Sequence, residues 1–177
     1  MKTISDAYLL EQIKLHENPN YGTASIQFSP MVAELVSHLK PRTLTDYGAG
    51  KQNLKLALDR MNITGYDYQP YDPAFPHYGE PLQGDLVCCI DVLEHIEPDL
   101  LDNVLAHLAE LIVKAGFFTV HTGPAGKKLS DGRNAHLIQQ PTSWWLPRLC
   151  RFFEIGNLQT HGVYGGGFFV VVEPIPK

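Results

Sequence analysis

The sequence predicts an α/β fold with a mostly parallel sheet, helices on both of its faces and an antiparallel hairpin at the C-terminal end. Strand-like and helix-like patterns alternate from residue 43 onward, which is typical of parallel sheets. Residues 85–91 form a continuous apolar run, as expected of a strand buried on both faces. Two last strand patterns, near 152–160 and 167–173, are joined by a glycine-rich turn, which favours an antiparallel pair.

Apolar residues three or four positions apart indicate the helices. Helices are predicted at 5–18, 30–39, 52–61, 98–114 and 141–151. Ser29 and Pro30 are predicted as the cap and the first turn of the second helix, because serine caps helices and proline is tolerated at their start. The other strands are predicted at 43–47, 63–71 and 117–121. Residues 73–83 hold three prolines and are predicted to be a loop, as is the polar stretch 122–134.

Composition excludes several classes of protein. The chain has 177 residues and a formal net charge of −5, which argues against a protein that binds nucleic acid by charge alone. No apolar run approaches the roughly 18 residues of a membrane helix, and residues 1–6 lack the apolar core of a signal peptide. Cys88 and Cys89 lie in an apolar run, as core thiols do in a reducing compartment. We therefore predict one cytoplasmic domain over residues 1–177, with no membrane segment.

A glycine turn follows the first predicted strand, with the sequence Asp46-Tyr47-Gly48-Ala49-Gly50. Glycines at a strand-to-helix turn let the backbone approach a ligand. The dinucleotide-binding pattern would need a third glycine at Asn53, so that reading fails. A carboxylate at Asp46 can hold an ammonium group, and an acid ending the next strand would bind ribose hydroxyls. Asp67 and Asp72 are both in range; Asp72 is favoured because the proline after it marks the end of the strand.

These residues, together with the run Asp91-Val92-Leu93-Glu94-His95-Ile96, resemble the class I S-adenosylmethionine-dependent methyltransferases. The resemblance spans roughly residues 30–175. It implies a Rossmann-like sheet of seven strands whose last strand is antiparallel, and S-adenosylmethionine as cofactor. The implied cofactor-binding residues are Asp46, Gly48, Gly50, Asp72 and Asp91. It also implies that residues 1–29 form an N-terminal helical lid, with Tyr21-Gly22-Thr23 over the cofactor.

The chain departs from the family pattern at two places. Gln52 stands where the family usually has a third glycine, so either its side chain points away from the cofactor or the cofactor lies slightly differently. Only 13 residues separate Asp72 from Asp85, an interval in which the family fits a helix and a strand. We therefore predict that the sheet lacks one edge strand and that the adenine side of the cleft is more open.

Asp91, Glu94 and His95 follow the central strand at offsets that place them on one face of a helical turn. The arrangement, with His136 in a later loop, is similar to that of small-RNA 3′-terminal 2′-O-methyltransferases. That resemblance implies Asp91, Glu94, His95 and His136 as ligands of a divalent ion, Mg or Mn, which would activate a hydroxyl group. A metal-free catalytic role and a purely structural role remain open. His95, His136 and His121 are the candidate proton acceptors.

The predicted function is S-adenosylmethionine-dependent methyl transfer to a hydroxyl group, either with a divalent metal or without one. The acceptor is predicted to be a small molecule, a nucleotide or a nucleic-acid end. The alternative is a catalytically degenerate binding or scaffold protein of the same fold. A stretch rich in basic residues either meets a phosphate-bearing substrate or is a solvated surface; it contains Lys127, Lys128, Arg133, Arg148 and Arg151. The remaining histidines are predicted to lie on the surface: His16, His38, His77, His107 and His161.

Overall fold

A computed structural model describes residues 1–176 of the chain. Six strands form one sheet in the order β2-β1-β3-β4-β6-β5. The strands are β1 (Thr43–Tyr47), β2 (Asp67–Tyr71), β3 (Gly84–Ile90), β4 (Ile112–His121), β5 (Phe153–His161) and β6 (Gly167–Pro174). The first four are parallel, whereas β6 pairs antiparallel with both β4 and β5. The predicted parallel sheet and C-terminal hairpin are therefore confirmed.

Helices cover both faces of the sheet, and two apolar clusters fill the layers between. The helices are α1 (Asp6–His16), α2 (Ala24–Leu39), α3 (Asn53–Arg60), α4 (Leu101–Leu111) and α5 (Thr142–Leu149). Side chains of β3 alternate between the clusters: Leu86 and Cys88 pack with α2 and α3, whereas Val87 and Cys89 pack with α4 and α5. Burial on both faces explains why this strand is apolar throughout.

The sheet ends at β2 on one side, as the short interval predicts. The residues between β2 and β3 contain a single 3₁₀ turn, Pro76–Tyr78, and no strand in the described chain. Phe75 and Tyr78 stack there with their ring centroids 5.5 Å apart. The Tyr78 hydroxyl donates to the Gly50 carbonyl oxygen at 2.8 Å, so this aromatic segment is fastened to the glycine turn.

The predicted start of the second helix is wrong. Helix α2 begins at Ala24, and Pro30 lies in its interior instead of its first turn. Proline has no N–H, so the Ile26 carbonyl four residues earlier loses its usual donor. The buried Ser29 hydroxyl donates to that carbonyl at 2.8 Å, which compensates for the loss. Ser29 is thus a partner for a helix carbonyl and not a cap.

Two strand starts also differ from the prediction by more than one residue. Strand β2 begins at Asp67, four residues later than predicted, and β4 begins at Ile112, five residues earlier. Helix α4 passes directly into β4, since Ile112 already has extended backbone angles. The β-branched pair Ile112-Val113 favours the strand. Within the described chain, no helix is long and apolar enough to cross a bilayer.

Candidate active site

A cavity of about 430 Å³ lies at the carboxyl ends of β1 to β4. This is the edge at which open α/β sheets hold their ligands, and the volume is in the range of small-molecule sites. Its walls come from the glycine turn, the acids at the strand ends, a group of imidazoles and the N-terminal segment. The segment between α1 and α2, including Tyr21, forms part of the cavity wall.

The glycine turn has a tightly packed backbone that requires glycine at Gly48. Gly48 has φ +85°, and a Cβ there would collide with the Val92 side chain, so no other residue fits. The Gly48 N–H donates to the Tyr71 carbonyl oxygen at 2.8 Å, which ties the turn to the end of β2. Gln52, at the position of the third glycine, has φ +56°, in the left-handed region that favours glycine. Its side chain does not line the cavity, as predicted.

Asp72, not Asp67, is the acid that reaches the cavity. Asp72 follows β2 and is buried; its two oxygens accept from Gly50 N–H at 2.9 Å and Ala74 N–H at 2.8 Å. Burial raises its pKa, whereas these two bonds favour the ionised form. Asp67 begins the strand, is exposed and does not line the cavity. Of the two candidate acids, Asp72 is therefore the one placed to contact a ligand in the cavity.

Asp46 and Asp91 are two further acids in the cavity wall. Burial raises the pKa of Asp46 to about 7, although the Tyr68 hydroxyl donates to its carboxylate. Asp91 has the left-handed φ of +51°, and one of its oxygens accepts from the Thr119 hydroxyl at 2.5 Å. Burial raises the pKa of Asp91 as well. Each acid is thus anchored to a neighbouring strand and still faces the cavity.

Two imidazoles present a free nitrogen to the cleft. His95 Nδ1 lies 2.8 Å from the Ala135 carbonyl oxygen, and His136 Nδ1 lies 2.8 Å from that of Gly123. A carbonyl only accepts, so both Nδ1 atoms carry the proton and both Nε2 atoms carry a lone pair. Neither Nε2 has a hydrogen-bond partner in residues 1–176. The ring centroids lie 4.7 Å apart. Burial lowers both pKa values, that of His95 to about 3.

His121 is near this pair but is differently engaged. Its Nδ1 accepts from the Gly123 N–H at 3.0 Å, and its Nε2 donates to the Tyr164 carbonyl oxygen at 2.8 Å. The geometry therefore argues against the predicted role of His121 as a proton acceptor, because neither nitrogen has a free lone pair. The His121 backbone N–H donates to the buried Glu94 carboxylate at 2.7 Å. Burial raises the pKa of Glu94 well above its ordinary value.

The four predicted metal ligands do not form a metal site. One Glu94 oxygen accepts from the His121 N–H of β4, and Glu94 does not line the cavity. One Asp91 oxygen accepts from Thr119. His95 and His136 remain, but no third His, Cys, Asp or Glu of residues 1–176 joins them in an arrangement that could hold an ion. This donor set does not fit the predicted Mg or Mn, so no step below depends on a metal.

The N-terminal segment supplies cavity residues that sequence reasoning missed. The Tyr8 hydroxyl donates to the His95 carbonyl oxygen at 2.7 Å, which fastens α1 to the imidazole pair. His16, predicted to lie on the surface, is packed edge-on against Tyr21 and Phe75, with centroids 4.9 Å away in each case. Burial lowers its pKa to about 4. No local motif marks His16, because Phe75 and Asp72, which lie against it, come from a distant part of the chain.

Most of the basic stretch is a solvated surface. Arg133 pairs with Asp131, Arg151 pairs with Asp102, and Arg148 lies over the Trp144 ring; none of the three lines the cavity. Lys128 is exposed. Lys127 is the exception in this stretch, since its side chain lies in the cavity wall.

The sheet order and the site at its carboxyl edge define the fold of the class I S-adenosylmethionine-dependent methyltransferases. One similar solved structure is the 1,6-didemethyltoxoflavin N1-methyltransferase of Burkholderia thailandensis, bound to its substrate and S-adenosylhomocysteine. It has 17% identity and a TM-score of 0.64, over 96% of this chain and 89% of that one. The magnesium protoporphyrin IX methyltransferase of Synechocystis, bound to S-adenosylmethionine, has 14% identity and a TM-score of 0.61, over 97% and 92%.

The mitomycin 7-O-methyltransferase has 14% identity and a TM-score of 0.68, over 96% of this chain and 60% of that one. No protein-family model and no curated protein matches the sequence. At these identities the comparisons show a shared fold, and the predicted Rossmann-like architecture is confirmed.

Proposed function

We propose that this protein transfers the methyl group of S-adenosylmethionine to a hydroxyl group of a small molecule. The observation that carries the proposal is the pair of unpartnered imidazole Nε2 atoms beside a cleft suited to the cofactor. These nitrogens only accept hydrogen bonds, so they fit a ligand that donates, as a hydroxyl group does. The bound cofactor would supply an electrophilic methyl group on its sulfonium.

The cleft residues fit that cofactor. Gly48 lines the cavity with a positive φ that favours glycine, and Asp72 offers a carboxylate at the end of β2 for the ribose hydroxyls. Asp46 offers a carboxylate for the ammonium of the amino-acid tail. Asp91, predicted to bind cofactor, faces the same cavity from the end of β3.

His136 Nε2 would take the hydroxyl proton as the acceptor oxygen attacks. The Gly123 carbonyl oxygen fixes the tautomer that leaves this lone pair free, and it would stabilise the imidazolium that forms. His95, whose pKa is about 3, is the poorer base and would orient the hydroxyl group by accepting its hydrogen bond. Tyr8 and Ala135 hold His95 in place.

The test is formation of S-adenosylhomocysteine from S-adenosylmethionine with a panel of sugars, nucleosides, phenols and short RNAs. With an accepted substrate, His136→Ala should reduce kcat by about 10²–10⁴-fold, the usual contribution of acid–base catalysis. His38→Ala is the matched control, because His38 is exposed outside the cavity. Equal losses in both variants would contradict the assignment.

The same assay addresses the remaining alternatives. Chelation by EDTA should leave the rate unchanged if His136 acts without a metal. A loss that Mn²⁺ restores would return Asp91, Glu94, His95 and His136 to the predicted role of ligands. If the short RNAs are the sole members of the panel that are methylated, the acceptor is a nucleic-acid end and not a small molecule. Cofactor binding without turnover of any acceptor would favour the scaffold alternative.

A further inference from the structure

The Lys127 ammonium is a buried cation without a partner in the described chain. Its Nζ atom has no hydrogen bond within residues 1–176, and no carboxylate lies within ion-pair distance. The Nζ atom lies over the Tyr21 ring, 5.3 Å from the ring centroid. A cation over an aromatic face is stabilised only in part, whereas burying an unpaired charge is costly. The side chain lines the cavity, so a ligand there can supply the missing anion.

A second unpartnered donor lies beside the same ring. The Tyr21 hydroxyl donates to Gln12 Oε1 at 3.1 Å, which sets the orientation of the amide. Gln12 Nε2 is buried and has no acceptor in residues 1–176, and Gln12 also lines the cavity. Two buried donors around one ring match an anion that has two oxygens, as a carboxylate does.

The Tyr21 ring beside these donors contacts both parts of the cleft, and its centroid lies 5.9 Å from that of His95. The Tyr21 ring touches His16, which lies beside the glycine turn: His16 Nε2 is 3.9 Å from Asp72 Oδ2. Lys51, directly after Gly50, donates to the Tyr21 carbonyl oxygen at 3.2 Å. Burial lowers the pKa of Lys51, and the charge of Lys127 lowers it further. Lys127 therefore lies close enough to Lys51, beside the glycine turn, to affect its ionisation.

We propose that Lys127, together with Gln12 Nε2, binds the carboxylate of the amino-acid tail of the cofactor. This inference rests on the function proposed above. An α-amino acid carries one positive and one negative charge, and the cavity offers a group of opposite sign for each. Asp46 faces the ammonium from the glycine turn, and Lys127 faces the carboxylate from the loop after β4.

The test is calorimetric titration of wild type, Lys127→Met and Lys127→Arg with two ligands. S-adenosylhomocysteine carries the amino-acid tail, and 5′-methylthioadenosine lacks it. Lys127→Met should weaken S-adenosylhomocysteine binding by about tenfold or more and should change methylthioadenosine binding by less than about twofold. Lys127→Arg should retain part of the lost affinity, because it keeps the charge. The exposed neighbour provides the control Lys128→Met, which should behave as wild type.

Each other outcome overturns the inference. Equal loss for both ligands in Lys127→Met means that the lysine supports the shape of the cleft. Unchanged affinity for S-adenosylhomocysteine means that Lys127 meets the acceptor or the solvent. If the wild type binds neither ligand, the cofactor assignment itself fails, and that result is separate from the behaviour of the variants.

Discussion

Single residues decide which groups in the cleft are charged. Burial lowers the pKa values of His95 and His16 to about 3 and about 4, so both rings are neutral at neutral pH. Asp46 is different, because its pKa of about 7 lies in the range where proteins are usually assayed. The ionisation of Asp46 should therefore govern how firmly the site holds an ammonium group.

Cofactor affinity should accordingly rise with pH. Below pH 7 the native Asp46 is protonated and cannot pair with an ammonium; above it the carboxylate is ionised. The affinity for S-adenosylhomocysteine should increase between pH 5.5 and 7.5, by up to about tenfold per unit below pH 7. Calorimetry checks this, and Asp46→Asn should flatten the profile. The range stops at 7.5 because an α-amino group loses its proton near pH 8.

The ligand 5′-methylthioadenosine is the control for this profile, since it has no ammonium group. Its affinity should not follow the ionisation of Asp46. Asp72 and Asp91 also have raised pKa values. If the pH dependence of affinity is unchanged in Asp46→Asn, the ionisation of Asp72 or Asp91 is its cause instead.

At the scale of elements, helix α2 has a proline in its interior together with a compensating bond. The Ser29 hydroxyl supplies the donor that Pro30 lacks, and it does so at a buried position. Loss of this hydroxyl leaves the Ile26 carbonyl without a donor, which usually costs about 1–3 kcal/mol.

A double-mutant cycle tests this arrangement. Ser29→Ala should lower the free energy of unfolding by about 1 kcal/mol or more. In a Pro30→Ala background the same change should cost less, because the backbone N–H that alanine restores can bond the Ile26 carbonyl. Urea denaturation of the four proteins gives both values. Equal costs in the two backgrounds would show that the serine and the proline act independently.

The elements that the sequence predicted best are those with unambiguous patterns. The apolar run of β3, the glycine turn after β1 and the C-terminal hairpin were all predictable, because each depends on local sequence. The start of α2 was not, since a proline preceded by serine is the usual signal for a helix start. The position of Ser29 in the folded structure distinguishes a serine that caps a helix from one that bonds a carbonyl inside the helix.

At the scale of the whole molecule, some residues of the site could be predicted from the sequence and others could not. Asp46, Gly48 and Asp72 line the cavity at strand ends, and the topology of a parallel sheet brings strand ends together. Gly50, also predicted to bind the cofactor, does not line the cavity and donates its N–H to Asp72. Other cavity residues come from α1, the segment before α2 and the loop after β4: Tyr8, Gln12, His16, Tyr21 and Lys127. Their convergence depends on how one helix and two loops pack over the sheet. The metal prediction did not fit for a related reason, because spacing alone does not show that Glu94 bonds the backbone of β4.

The central claim is that this cleft binds S-adenosylmethionine with Asp72 on the ribose. The most direct measurement is calorimetric titration of S-adenosylhomocysteine into wild type, Asp72→Asn and Asp67→Asn. We expect micromolar binding by the wild type and by Asp67→Asn, since Asp67 is an exposed acid outside the cavity. Asp72→Asn should bind about tenfold or more weakly, because an amide offers only one oxygen to the ribose hydroxyls. No binding by the wild type, or equal weakening by both substitutions, would contradict the claim.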